Sequence, residues 1–99
     1  MMHSLEADAV AAVHANAHYS FVSSGSARLF SPLSITEAEA VLPADRFMRV
    51  HRSHLVNLDR VTGLRRTVDS AVVMIAGSQE PPIPVSRARL PELKRRLAS

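Results

Sequence analysis

The residues Phe47, Met48, Arg49, Val50, His51, Arg52, Ser53, His54, Leu55, Val56, Asn57 and Leu58 decide how this chain is read. Apolar positions lie on both sides of a polar interruption, His51 to His54, that contains neither glycine nor proline. A strand entering through Phe47, Met48 and Val50 must therefore turn into one leaving through Leu55, Val56 and Leu58 by a bend that side-chain hydrogen bonds hold, with Ser53 and Asn57 suited to the task. Such a bend projects. Arg49 and Arg52 lie within it and Arg60 just beyond. The stretch is thus either a clamp for an anion or a surface loop in which His51 and Asn57 satisfy backbone groups.

Working outward toward the C-terminus, residues 60–66 and 70–76 read as a hairpin pair, with Val68, Asp69 and Ser70 near the turn. The run Val72, Val73, Met74, Ile75 predicts burial on both faces. Residues 77–82 form a loop, and 83–85 a last short strand stiffened by Pro82 and Pro84, which delivers Ser86 and Arg87 at its end. Ser86 is suited either to capping the helix beyond it or to donating to a phosphate. Leu90, Leu93 and Leu97 then recur at helical spacing in a basic helix with Pro91 in its first turn.

Toward the N-terminus, residues 9–13 and 18–23 (HYSFVS) predict strands, the second with Tyr19, Phe21 and Ser23 on one face and His18, Ser20 and Val22 on the other. Ser23, Ser24, Gly25 and Ser26 make a turn into a return strand over 27–31. Ser34-Ile35-Thr36-Glu37 is a capping box that starts a short helix, and Pro43 stops it. The expected architecture is mainly β with two short helices in a single domain spanning residues 1–99.

Ninety-nine residues without a cysteine exclude a disulfide framework and thiolate chemistry and fit a reducing compartment. No apolar run approaches the roughly 18 residues that span a bilayer, and the acidic start lacks the basic region of a signal peptide, so a cytoplasmic protein without a membrane partner is expected. Residues 1–45 carry one base against five acids, a net of −4, whereas 46–99 carry eleven bases against four acids, a net of +7. Eleven of the twelve bases are arginine, whose planar fork matches phosphate and guanine. An anionic polymer is the natural partner, against the plainer reading of a solvated charged face.

The pattern F-x-R-V-H-R-S-x-L-V-N, with I-P-V-S-R some thirty residues further on and then a leucine-spaced basic helix, resembles the LytTR family of bacterial DNA-binding domains over nearly the whole chain. The resemblance implies small stacked antiparallel sheets that insert loops, not a recognition helix, into successive major grooves of directly repeated promoter sites. It places base contacts at Arg52 and Arg87, and a third contact in the first hairpin loop around Asn16, His18 and Ser20. Arg49, Arg60, Ser86 and Arg89 become candidates for the DNA backbone, with His51 and Asn57 shaping the loop. Members of the family usually carry another strand and turn ahead of the place that Leu5 to Val10 occupy here. An unpaired N-terminal edge is therefore expected, open to a second copy of the chain. Most relatives join this module to a sensor or receiver domain, so a fragment of a larger regulator is favoured over a solitary one.

Other classes fit less well. His51 with His54, and His14 with His18, have metal-like spacings, but neither pair lies in a helical pattern and no cysteine or carboxylate completes a set. Without a G-x-S-x-G elbow or a glycine-rich loop, no catalysis and no cofactor are expected. The alternative reading is a protein-interaction module that uses the basic face or the open edge strand, which weaker salt dependence distinguishes from duplex DNA binding.

Overall fold

A computed structural model describes residues 7–25, 27–76 and 81–98. Leu5, Glu6, Ser26 and residues 77–80 of the expected loop lie outside the described residues. The strands are β1 (Ala12–Asn16), β2 (Tyr19–Ser24), β3 (Ala27–Ser31), β4 (Phe47–His51), β5 (His54–Asn57), β6 (Val61–Arg66), β7 (Ala71–Ile75) and β8 (Ile83–Pro84). The helices are α1 (Ile35–Val41) and α2 (Leu90–Ala98). Two antiparallel sheets result, five-stranded in the order β3-β2-β1-β5-β4 and three-stranded in the order β6-β7-β8.

Alternation along the strands explains the layering. On one face of the larger sheet Val13, Phe47 and Leu55 meet Ile35 and Ala38 of α1. On the other, Ala12, Met48, Val50 and Val56 meet Ala71 and Val73 of β7, Ile83, Val85 and Leu93. The larger sheet is thus covered by α1 on one side and by the smaller sheet and α2 on the other, which is why Val13, Val50, Leu55 and Val56 are almost completely buried.

The capping box forms as read. Ser34 Oγ accepts from the Glu37 amide at 3.1 Å, and Glu37 Oε1 accepts from the Ser34 amide at 2.9 Å. Three expectations shift. The first strand begins at Ala12, because Ala7–Ala9 close a 3-10 turn with the Val10 amide donating to the Ala7 carbonyl. That strand is no edge, being paired to β2 and β5. In β7, Ala71 and Val73 are buried but Val72, Met74 and Ile75 only partly so, since a second layer covers a single face.

Candidate nucleic-acid interface

Three bends are joined by backbone hydrogen bonds into one surface. The first is the β1–β2 turn at Ala17 and His18, where Ala17 has a φ of 58°, the left-handed region that costs an ordinary residue about 1–2 kcal/mol. The second is the β4–β5 bend at Arg52 and Ser53. The Ala15 amide donates to the Ser53 carbonyl at 2.9 Å, which joins these two. The third is the end of β8, where the Ser86 amide donates to the Val50 carbonyl at 2.7 Å. Arg52 and Arg87, thirty-five positions apart in sequence, therefore belong to adjacent bends.

The β4–β5 bend is held from behind by Arg49. Its Nε donates to the His51 carbonyl at 3.1 Å, one Nη to the Arg52 carbonyl at 2.6 Å, and the other pairs with Glu39 at 3.0 Å. His51 closes the bend from within, its Nδ1 accepting from the Ser53 amide at 3.1 Å, which places the proton of the neutral ring on Nε2. A register shift between Arg49 and His51 makes room for this geometry.

Beside the bend, His14 Nδ1 lies 2.9 Å from His54 Nδ1, and His14 Nε2 lies 3.2 Å from Ser23 Oγ. The rings of His51 and His54 approach to 5.2 Å between centroids. One nitrogen of the His14–His54 pair must donate and the other accept, so the pair cannot be doubly protonated without breaking. Burial first, then the neighbouring His14 and His51, lower the His54 pKa from 6.5 to about 4. Of the two sequence-spaced pairs, His51 and His54 are thus brought together at the bend, whereas His14 meets His54. Among the described residues no group of three or more His, Asp and Glu side chains is arranged to hold a metal.

Arg52 and Arg87 are exposed, and among the described residues neither guanidinium has a hydrogen-bond or ion-pair partner. Asn16 and His18 are exposed at the first turn. Ser20 is completely buried, its hydroxyl donating to the Leu33 carbonyl at 2.9 Å, so it is a structural residue and not a surface contact. Arg49 likewise faces inward onto the bend it holds. Arg60 is at the opposite end of β6, roughly 20 Å from the bends by strand rise, and its guanidinium donates to the Asp8 carbonyl. Nearby, Arg46 pairs with Asp8.

Ser86 occupies the cap position of the 3-10 turn Arg87–Arg89 without a side-chain cap bond. Exposed Arg89 donates to the Arg49 carbonyl at 3.3 Å. Asn57 shapes a different turn from the one expected. Its Oδ1 accepts from the Asp59 amide at 3.0 Å and its Nδ2 donates to the Val10 carbonyl at 2.9 Å, at the far end of β5. Sequence reading passed over Arg66, which the β6–β7 hairpin brings beside Arg87. The signal available was its position immediately before a turn of Thr67, Val68, Asp69 and Ser70.

The β scaffold thus gathers, on neighbouring bends, exposed arginines that have no hydrogen-bond or ion-pair partner among the described residues, a surface whose chemistry suits an anion. The chain belongs to the LytTr DNA-binding domain family, whose model matches residues 1–98. It is 33% identical over 86 residues to the CO-responsive transcriptional regulator RcoM of Rhodospirillum rubrum, covering 87% of this chain and 36% of that protein. It is 32% identical over 77 residues to the heme-containing CO-sensing transcriptional regulator RcoM 2 of Paraburkholderia xenovorans, covering 78% of this chain and 29% of that protein. The chain thus spans about a third of the length of these relatives. A solved LytTr DNA-binding domain from Bacillus cereus shares the fold, with a TM-score of 0.81 at 22% identity over 96% of this chain and 86% of that one.

Proposed function

We propose that this chain binds duplex DNA sequence-specifically as the DNA-reading part of a bacterial transcription regulator. The observation that carries the reading is the pair of exposed, unpartnered arginines, Arg52 and Arg87, on bends tied together through Val50 and Ser86. In this reading Arg52 and Arg87 enter the major groove, where a guanidinium set on the O6 and N7 of guanine discriminates by about 1–3 kcal/mol. Asn16 and His18 supply a third contact from the β1–β2 turn. Ser86 and Arg89 approach phosphates, and His51 and Arg49 hold the loop that presents Arg52.

Loops in successive major grooves suit directly repeated sites, with one copy of the domain on each repeat. The greater length of the relatives supports joining the domain to a sensor in a longer protein, one that works in the cytoplasm beside the chromosome. No helix among the described residues is long and apolar enough to cross a membrane. β1 is interior to its sheet and offers no open edge to a second chain, so a protein-interaction role would use the basic face.

Selection of bound sequences from a random duplex pool tests the reading, with titration of the enriched site at several salt concentrations as its second stage. A repeated motif and a drop in affinity on the order of a thousandfold between 50 and 200 mM salt are expected for about six neutralised phosphates. No enriched motif, or a nearly flat salt response, contradicts it.

A further inference from the structure

The β6–β7 turn is a fourth bend, beside the segment that follows β8. The Val85 amide donates to the Ala71 carbonyl at 2.9 Å, which fixes the turn against the segment that delivers Arg87. Between them lies a cleft of about 250 Å³ whose walls include Arg66, Thr67, Asp69, Ser70 and Arg87. The turn is held in one shape. The Thr67 amide donates to the Ser70 carbonyl at 2.8 Å, the Ser70 amide donates to Thr67 Oγ1 at 3.2 Å, and the two hydroxyls lie 2.6 Å apart. With those hydroxyls engaged on each other, the side-chain donors left to an incoming ligand are the guanidiniums.

Among the described residues Arg66 has no hydrogen-bond or ion-pair partner, and it shares the cleft with Arg87, which has none either. Two cations facing one cleft, with Asp69 the one acid among the described residues of its walls, leave a positive balance there. That balance stabilises a bound anion. We infer that Arg66 holds a backbone phosphate of the duplex at the mouth of this cleft and so sets the depth and angle at which neighbouring Arg87 meets the bases.

The inference rests on the DNA-binding reading and adds a contact to it. A phosphate contact fixes register without carrying sequence information, so its signature differs from that of a base contact. The Arg66 side chain is exposed and has no hydrogen-bond or ion-pair partner among the described residues, so its loss leaves the fold in place. Asp69 opposes the same phosphate, and its removal has the opposite sign.

The test is titration of the full chain against its selected duplex, and against the same duplex with each base pair changed, between 50 and 200 mM salt. The wild type is compared with Arg66→Ala, Arg66→Gln and Asp69→Asn, each checked for an unchanged thermal midpoint. Loss of the Arg66 charge should lower the salt slope by about one, which narrows the affinity ratio between the two salt concentrations about 3- to 4-fold, with the ranking of sequences retained. Asp69→Asn should tighten binding to all sequences. An unchanged slope in both Arg66 variants, or a loss confined to one base pair, overturns the assignment while wild-type specificity stands. Absence of sequence-ranked, salt-steep binding by the wild type overturns the DNA-binding reading itself.

Discussion

The Ser86 amide and the Val50 carbonyl meet at 2.7 Å, and this bond places the end of β8 against the strand that leads into the β4–β5 bend. Two segments far apart in the chain thereby become one surface. Each carries an exposed arginine one or two residues beyond the bond, Arg87 after Ser86 and Arg52 after His51. The separation of the two bends is set by this bond and not by a flexible linker.

Arg49 is expected to act on DNA through the bend and not by touching it. Its guanidinium spans the carbonyls of His51 and Arg52 and pairs with Glu39. Charge-assisted bonds of this kind contribute about 1.5–3 kcal/mol. Arg49→Met should lower stability by about 1–3 kcal/mol in denaturant titration and weaken DNA binding with an unchanged salt slope. A slope reduced by about one would return Arg49 to the phosphate contacts.

The histidine cluster makes stability depend on pH in a defined window. His54 has its pKa lowered to about 4 in the folded chain, against 6.5 unfolded. Between those values the unfolded chain binds the extra proton, so stability is fully present above about 6.5 and is lost as the pH falls toward 4. In thermal melts across this range, the wild type should lose more stability than His54→Gln, whose profile lacks this contribution. Parallel profiles would remove the cluster as the cause.

Ala17 is expected to respond to substitution with the reverse of the usual sign. Its φ of 58° suits glycine, which adopts the left-handed region without the Cβ clash. Ala17→Gly should raise stability by about 0.5–1 kcal/mol once the greater unfolded-state entropy of glycine is subtracted. A loss of that size, as for glycine in ordinary strand positions, would show that the turn is unstrained.

Local chemistry determines the features that were legible in the sequence. The Ser34–Glu37 box fixes where α1 starts, Pro43 where it stops, and the interruption from His51 to His54 fixes a bend between two strands. Positions dependent on tertiary neighbours were not legible. Arg49 and Arg52 are chemically alike and three residues apart, yet the register shift between Arg49 and His51 leaves one behind the bend and the other upon it. Arg60 and Arg66 belong to one stretch of basic sequence, but the length of β6 puts them at opposite ends of that strand. Ser20 looked available because serine is polar, and it is buried because its face of β2 lies under Leu33. The alanine-rich run around Ala11 and Ala12 gives no alternation from which a strand start can be read, since both residues are fully buried.

The central claim is that Arg52 and Arg87 read bases, and it is tested most directly by a complete map of affinity against single base-pair changes. The map is measured in parallel for the wild type, Arg52→Ala and Arg87→Ala. Each variant should lose about 1–3 kcal/mol on the selected site and become indifferent at its own base pair, with preferences elsewhere retained. Variants that weaken every sequence equally, or that leave the map unchanged, would contradict it.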